Sequence, residues 1–312
     1  MTAPTWLVGS GGLLGGALTR ELGRRGSLPT TSAVPWHSTE QARAVLTADA
    51  RRFIERVGDG PWRLVWCAGA GVNGTSVEAF AAEHGLLGAV LDELADAAGG
   101  RADRGVVFHA SSAGGVYAGA LGAPFSELSP VAPLGDYGRA KLSAEEIVNA
   151  FGRRTGATTV IGRIANLYGP GQNLEKPQGL ISHLCRGYLM SAPVAIYVPM
   201  DTLRDYLYVS DAAEMVADAL DVAGTHPGAT ATKIFASGTT VTIGAILGAC
   251  RTVFRRKPNV ILAASKLAAV QSQDLRLRSV IWPEIDARTF RTLPSGIAAT
   301  LEATRDALST AR

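Results

Sequence analysis

Tyr137 and Lys141 stand four residues apart in a stretch with helical spacing, so one helix face carries a phenol beside an ammonium. An ammonium stabilises the phenolate left when a neighbouring phenol gives up its proton, as a general acid for carbonyl reduction requires. Y-x-x-x-K is a common pattern, and the plain alternative is a surface tyrosine with a solvated lysine. The pair gains weight from Ser111-Ser112 upstream, at the end of an apolar run, where a hydroxyl would polarise the same carbonyl. A second constellation opens the chain. Gly9-Ser10-Gly11-Gly12-Leu13-Leu14-Gly15 follows the apolar run Thr5-Trp6-Leu7-Val8 and precedes helical spacing at Leu14, Ala17, Leu18 and Leu22. Glycines there allow a tight turn, a close approach to a pyrophosphate and packing of helix on strand. The unpaired N–H groups of the helix start then face the phosphates. A glycine string alone is weak; its strand–turn–helix context is what points to a dinucleotide.

These groups must be held by elements that the rest of the chain supplies. Residues 28–36 read as a weak second strand interrupted by Pro29 and Pro35, and Ser38-Thr39-Glu40-Gln41 reads as a capping box opening a helix to Val57. Residues 63–68, 105–110 and 158–164 are apolar runs suited to strands buried on both faces, and residues 78–98 and 137–154 are helical. This alternation predicts an α/β fold, a Rossmann-type doubly wound parallel sheet with a smaller C-terminal substrate-binding part. The expected division is a dinucleotide-binding domain over 1–165 and a substrate-binding part over 166–312, with residues 205–237 able to return to the first. Helices are expected over 180–190, 211–222 and 243–254, and a strand near Phe235.

Composition excludes other classes. The 312 residues are 47% hydrophobic and 18% charged, so a disordered chain is excluded. A net charge of +3 with no run of five like charges gives no support for a nucleic-acid or membrane surface. Cys67, Cys185 and Cys250 are far apart and never in C-x-x-C, and the histidines lack ligand spacing. No disulfide framework or metal site is expected, and the pattern suits a reducing cytoplasm. No apolar run reaches the length of a membrane span, and the glycine-rich start does not read as a signal peptide.

Five blocks in order carry a resemblance to a known family: the glycine turn; Ser111-Ser112-Ala113-Gly114-Gly115-Val116-Tyr117; Tyr137-x-x-x-Lys141; Arg163 to Gly171; and Arg204-Asp205-Tyr206-Leu207-Tyr208-Val209-Ser210-Asp211. From Trp6 to about Ala219 the chain resembles the extended short-chain dehydrogenase/reductases, in their nucleotide-sugar epimerase/dehydratase/ketoreductase branch. The resemblance implies Tyr137 as acid/base and Lys141 on the nicotinamide ribose. Ser112 is implied as the catalytic hydroxyl, with Ser111 as its alternative. It implies a cofactor against Gly9, Gly11, Gly12, Leu13, Leu14 and Gly15, with Cys67, Ala68 and Gly69 beside it. Asn166 and Arg204 would meet the substrate diphosphate and Tyr197 its base. Arg276 and Arg278 would form a second, weaker phosphate clamp, and an internal Arg204–Asp205 salt bridge is the bland alternative for that pair.

Departures from the family pattern shape the expected chemistry. NAD-using members carry an acid after the second strand for the ribose 2′-OH, and residues 27–39 hold none. Trp36, His37 and Ser38 stand there instead, His37 and Ser38 as the expected cofactor contacts, with Arg24, Arg25 and Arg43 near in sequence, so NADP(H) is expected over NAD(H). The usual third strand is not recognisable, and Glu83 lies where the family often has an Asn supporting the proton relay. The reading that follows is an NADPH-dependent 4-keto-sugar reductase. A C4 epimerase with tightly held NAD is the alternative, and an NADP-binding redox sensor is the alternative of another class. A homodimer is expected, because Leu87, Val90, Leu91, Leu94, Ile147, Val148 and Phe151 exceed what one sheet face needs.

Overall fold

A computed structural model describes residues 3–69, 71–72, 74–176, 178–263 and 272–310. The apolar runs β1 (Thr5–Val8), β3 (Trp62–Trp66), β4 (Gly105–Ser112) and β5 (Thr158–Ile164), with the two-threonine edge strand β2 (Thr30–Thr31) and, much later, β9 (Thr230–Phe235), form a six-stranded, wholly parallel sheet in the order β2-β1-β3-β4-β5-β9. The long crossovers are helical: α1 (Leu13–Arg24), α2 (Thr39–Val57), α3 (Val77–Ala98), the single turn α4 (Ala113–Val116) and α5 (Asp136–Thr155). Ser38 and Ser76 begin α2 and α3 by accepting the backbone N–H three residues on, and Gly156, at φ 76°, ends α5 in the left-handed region.

The remainder alternates between two places. β6 (Asn166–Tyr168), α6 (Leu180–Met190), β7 (Val194–Ile196) and β8 (Leu203–Tyr208) build a C-terminal lobe; α7 (Val209–Gly224) and β9 then return to the sheet, α7 packing beside α1. β10 (Thr240–Thr242), α8 (Ile243–Phe254), β11 (Val260–Leu262), β12 (Asp274–Leu275), the short α9 (Pro283–Asp286) and α10 (Leu293–Thr310) follow. In the lobe β8 pairs with β10, β12 and β6, and β7 with β11. Lys233 of β9 is fully buried and donates to the Asp286 carboxylate at 2.9 and 3.0 Å, Ser279 Oγ and the Ile281 carbonyl, which ties the C-terminal segment to the last strand.

Three apolar clusters result. One lies between the sheet and α1–α7, one between the sheet and α2, α3 and α5, and one within the lobe. The second removes a sequence argument. Leu87, Val90, Leu91, Leu94, Val148 and Phe151 are buried in this one chain against Trp6, Trp66 and Val107, and Ile147 packs against them partly buried. The apolar surplus expected to seat a second subunit is consumed by the sheet face. Among the described residues no helix is long and apolar enough to cross a membrane.

Candidate active site

The chain leaves β1 toward β2 on one side and returns to β3 on the other, so a crevice opens beyond the carboxyl ends of β1 and β3. The glycine turn is its floor. Gly9 has φ 94°, and a Cβ there would stand 2.5 Å from the Ala68 nitrogen; a Cβ on Gly15 would stand 2.1 Å from the Gly9 carbonyl oxygen. These two glycines let α1 start against β3. A Cβ on Gly11 would meet open space. α1 has no side-chain cap and no acid in its first turn, so its N–H groups remain available to an anion. Gly9, Gly11, Gly12, Leu13 and Leu14 line the crevice with Cys67, Ala68 and Gly69. Burial pushes the Cys67 thiol up to about 12, so it is an unreactive wall. Gly15 packs below the lining. At the β2–α2 turn Trp36 and Thr39 line the crevice in place of His37 and Ser38, the latter spent on the α2 cap.

β4 and α5 bring the proton-transfer candidates together. Ser112 ends β4, and its Oγ accepts from Gly115 N at 3.2 Å, leaving its own hydrogen to donate into the cleft. Ser111 points the other way: its hydroxyl donates to Glu145 Oε1 at 2.5 Å, inside a buried network. There Arg163 grips the same carboxylate at 3.1 and 2.7 Å and donates to the Tyr117 hydroxyl at 2.7 Å. α4 and α5 touch backbone to backbone, since a Cβ on Gly138 would stand 2.2 Å from the Gly115 carbonyl oxygen. That contact sets Tyr137 one residue away, over Gly115. The Phe80 ring lies 6.4 Å from the Tyr137 ring, and the Lys141 Nζ lies 5.7 Å from the Tyr137 ring centre and 3.4 Å from the Ala110 carbonyl oxygen. Glu83 Oε1 accepts from Gly71 N at 3.1 Å. Its other carboxylate oxygen and the Lys141 Nζ flank Gly69, each 3.7 Å from where a Cβ would be.

The same cavity, of about 1810 Å³, runs on into the lobe past Asn166, Tyr197 and Arg204. Arg204 is 7% exposed, and its one described hydrogen bond is to the Leu203 carbonyl at 2.8 Å. Burial lowers its pKa, with Tyr206 and the Asp274 carboxylate acting the other way through space, and no carboxylate is hydrogen-bonded to the guanidinium among the described residues. The Arg204–Asp205 salt bridge is not formed, because neighbours on a strand face opposite ways; Asp205 instead accepts from Ser237 N and Oγ at 2.8 and 3.0 Å. Arg276 is taken up by Asp274 at 2.8 Å, and neither it nor Arg278 lines the cavity. Lys176, His183 and Arg186 do line it. Sequence reasoning passed over them, asking of the histidines only whether they had metal-ligand spacing; His183 and Arg186 at i and i+3 of one helix were the available signal.

A doubly wound sheet with a glycine-floored crevice and a Tyr–Lys helix above it is the Rossmann-type framework of a short-chain dehydrogenase/reductase. The chain belongs to the NAD dependent epimerase/dehydratase family, whose model matches residues 6–231. It is similar to the dTDP-4-dehydro-6-deoxyglucose reductase of Escherichia coli, 30% identical over 118 residues that cover 38% of this chain and 37% of that protein. Among solved structures, MoeE5 in complex with UDP-glucose and NAD superposes with a TM-score of 0.77 at 22% identity over 98% of this chain and 100% of that one. The UDP-glucose 4-epimerase of Thermotoga maritima, with UDP-glucose, gives 0.79 at 18% over 98% and 99%. Both likenesses concern the fold.

Proposed function

We propose that the protein reduces a 4-keto nucleotide-diphosphate sugar with NADPH. The observation that carries this reading is one continuous cavity joining the glycine turn, the Ser112–Tyr137–Lys141 group and the buried Arg204. When bound, the nicotinamide dinucleotide supplies the hydride. The first turn of α1 and Gly9, Gly11 and Gly12 would hold its pyrophosphate, with Leu13, Leu14 and Cys67 to Gly69 as walls. Tyr137 would donate its hydroxyl proton to the substrate carbonyl oxygen, and Ser112, already accepting from Gly115, would donate a hydrogen bond to that oxygen. Lys141 would stabilise the phenolate left behind. Arg204 and Asn166 would hold the diphosphate and Tyr197 would lie along the base.

Three features favour net reduction. No carboxylate stands in residues 27–39 to bind a free ribose 2′-OH, which fits NADPH drawn from the reducing pool better than NAD kept through an epimerase cycle. The support is narrower than the sequence suggested, because Arg24 pairs with Glu21, and Arg25 with Glu21 and Asp218, instead of facing the crevice. Ala113, Gly114 and Gly115 carry no acid of the kind a dehydratase places after the catalytic hydroxyl. The similar Escherichia coli protein is itself named a reductase. Three free thiols suit a reducing, cytoplasmic compartment, and a homodimer would have to use the outer faces of α3 and α5, for which light scattering is the test. The decisive experiment incubates 4-keto-6-deoxy nucleotide sugars with NADPH. Stoichiometric loss of nicotinamide absorbance is expected; interconversion of UDP-glucose and UDP-galactose without added cofactor would overturn the reading.

A further inference from the structure

Beside the Tyr137–Lys141 face, between β4, α3 and α5, lies a second and far smaller cavity of about 20 Å³. That is room for a single water molecule. β4 contributes His109 to its wall, α3 contributes Phe80, Glu83 and His84, and α5 contributes Tyr137 and Lys141. His109 is 3% exposed, and neither ring nitrogen has a hydrogen-bond partner among the described residues. Burial, reinforced by the charges of Lys141 and His84, holds its imidazole well below the usual histidine range, so the ring is neutral. A neutral imidazole carries one donor and one acceptor, and leaving both unmet in the interior is costly. His84 does not meet this need, because its Nε2 is engaged with the Ala140 carbonyl at 2.9 Å. Lys141 reaches the same void with an ammonium whose hydrogen bond to the Ala110 carbonyl is long at 3.4 Å.

We propose that this chamber is a water site: one water, hydrogen-bonded to a ring nitrogen of His109, accepts a hydrogen bond from the Lys141 ammonium. His109 is then a positioning residue, holding Lys141 from behind without touching substrate or cofactor. Among the described residues, the titratable groups facing the chamber are Glu83 and His84 from α3, His109 from β4, and Tyr137 and Lys141 from α5; Cys67 adjoins Lys141 from the end of β3. A fixed water gives the ammonium a partner that does not change charge with pH, since the imidazole behind it stays neutral. The inference gains its purpose from the reading of Lys141 as part of the proton-transfer group, but its test needs neither cofactor nor turnover.

The chain has only five lysines, so protein made with lysine carbon-13 labelled at Cε gives five signals, and Lys141→Arg assigns the one that matters. Replacing His109 with Leu removes the anchor and dries the chamber. The Lys141 titration midpoint should then fall by about one pH unit or more, while His109→Gln, which keeps a polar partner for the water, stays within about half a unit of the wild type. A midpoint unchanged in His109→Leu, or lowered equally in both variants, overturns the proposal. Should the Leu variant fail to fold, a high-resolution crystal structure of the wild type decides. One water bonded to His109 and Lys141 supports the proposal. A dry chamber, or a His109 ring turned to bond Glu83 directly, overturns it. A protein that passes this test yet reduces no keto sugar would retain the water site and lose only the proposed reaction.

Discussion

Removing the phenol oxygen of Tyr137 takes away a proton and little else. Tyr137→Phe should lower turnover by about 10²–10⁴-fold, the usual worth of a positioned general acid, with dinucleotide affinity within a few-fold. Lys141→Ala should damage both, and single-turnover kinetics with an equilibrium titration separate the two effects. Arg204 is the more telling residue, because its burial is a cost borne by the free protein. Arg204→Met should weaken UDP or dTDP binding by roughly 10–100-fold, as expected for a lost hydrogen bond to a charged group. The same change should leave the melting temperature of the free protein equal or higher, because a buried charge is removed and Asp274, which feels Arg204 only through space, keeps its pairing with Arg276. Calorimetry on both proteins checks the pair of outcomes; a lower melting temperature would mark Arg204 as structural.

Between the elements, the glycine contact of α4 with α5 positions more than its size suggests. Gly138→Ala drives a Cβ into the Gly115 carbonyl, so a loss of about 1–3 kcal/mol in urea unfolding is expected. Turnover should fall further than stability, because Tyr137 is displaced from Ser112 although both side chains remain. Asp205 reports on the β8–β10 corner. Burial pushes its carboxyl from 3.8 up to about 6, so the native state favours the protonated form. Its contribution is complete below about pH 3.8 and is lost as pH rises through about 6, a change of about 3 kcal/mol at 1.36 kcal/mol per unit. Asp205→Asn should flatten that part of the urea-midpoint profile, and an unchanged slope would assign it elsewhere. The central strands β1, β3, β4 and β5 and the larger helices were legible in the sequence because burial leaves apolar runs and helical periodicity, whereas the edge strands β2 and β9 are polar in part and left only a weak signal. The choice between Ser111 and Ser112 was not, because it depends on which face of β4 meets Glu145. Lys176, His183 and Arg186 were missed for a related reason: the sequence predicts the helix that carries His183 and Arg186, but which of its faces meets the cavity depends on how the lobe packs against the sheet.

At the scale of the molecule, ligand binding and folding are one equilibrium. NADP(H) at a hundred times its dissociation constant should stabilise the protein by about 2.7 kcal/mol, and NAD(H) at equal concentration by less. A melting-temperature series with each dinucleotide is the check, and a larger shift with NAD would reverse the cofactor preference. The late position of β9 has a different consequence, felt while the chain is being made. Thr159 of β5 bonds to Thr230 of β9 across 71 residues, so β5 is an open sheet edge until the ribosome has delivered those residues. At about 5–20 residues per second that exposure lasts roughly 4–14 s, long for an apolar strand with unpaired N–H and C=O groups. Nascent chains stalled before β9 should therefore be captured by chaperones and cut readily by protease, and those stalled well past it should resist. Where translation slows along this messenger would decide how much of the protein reaches its native form.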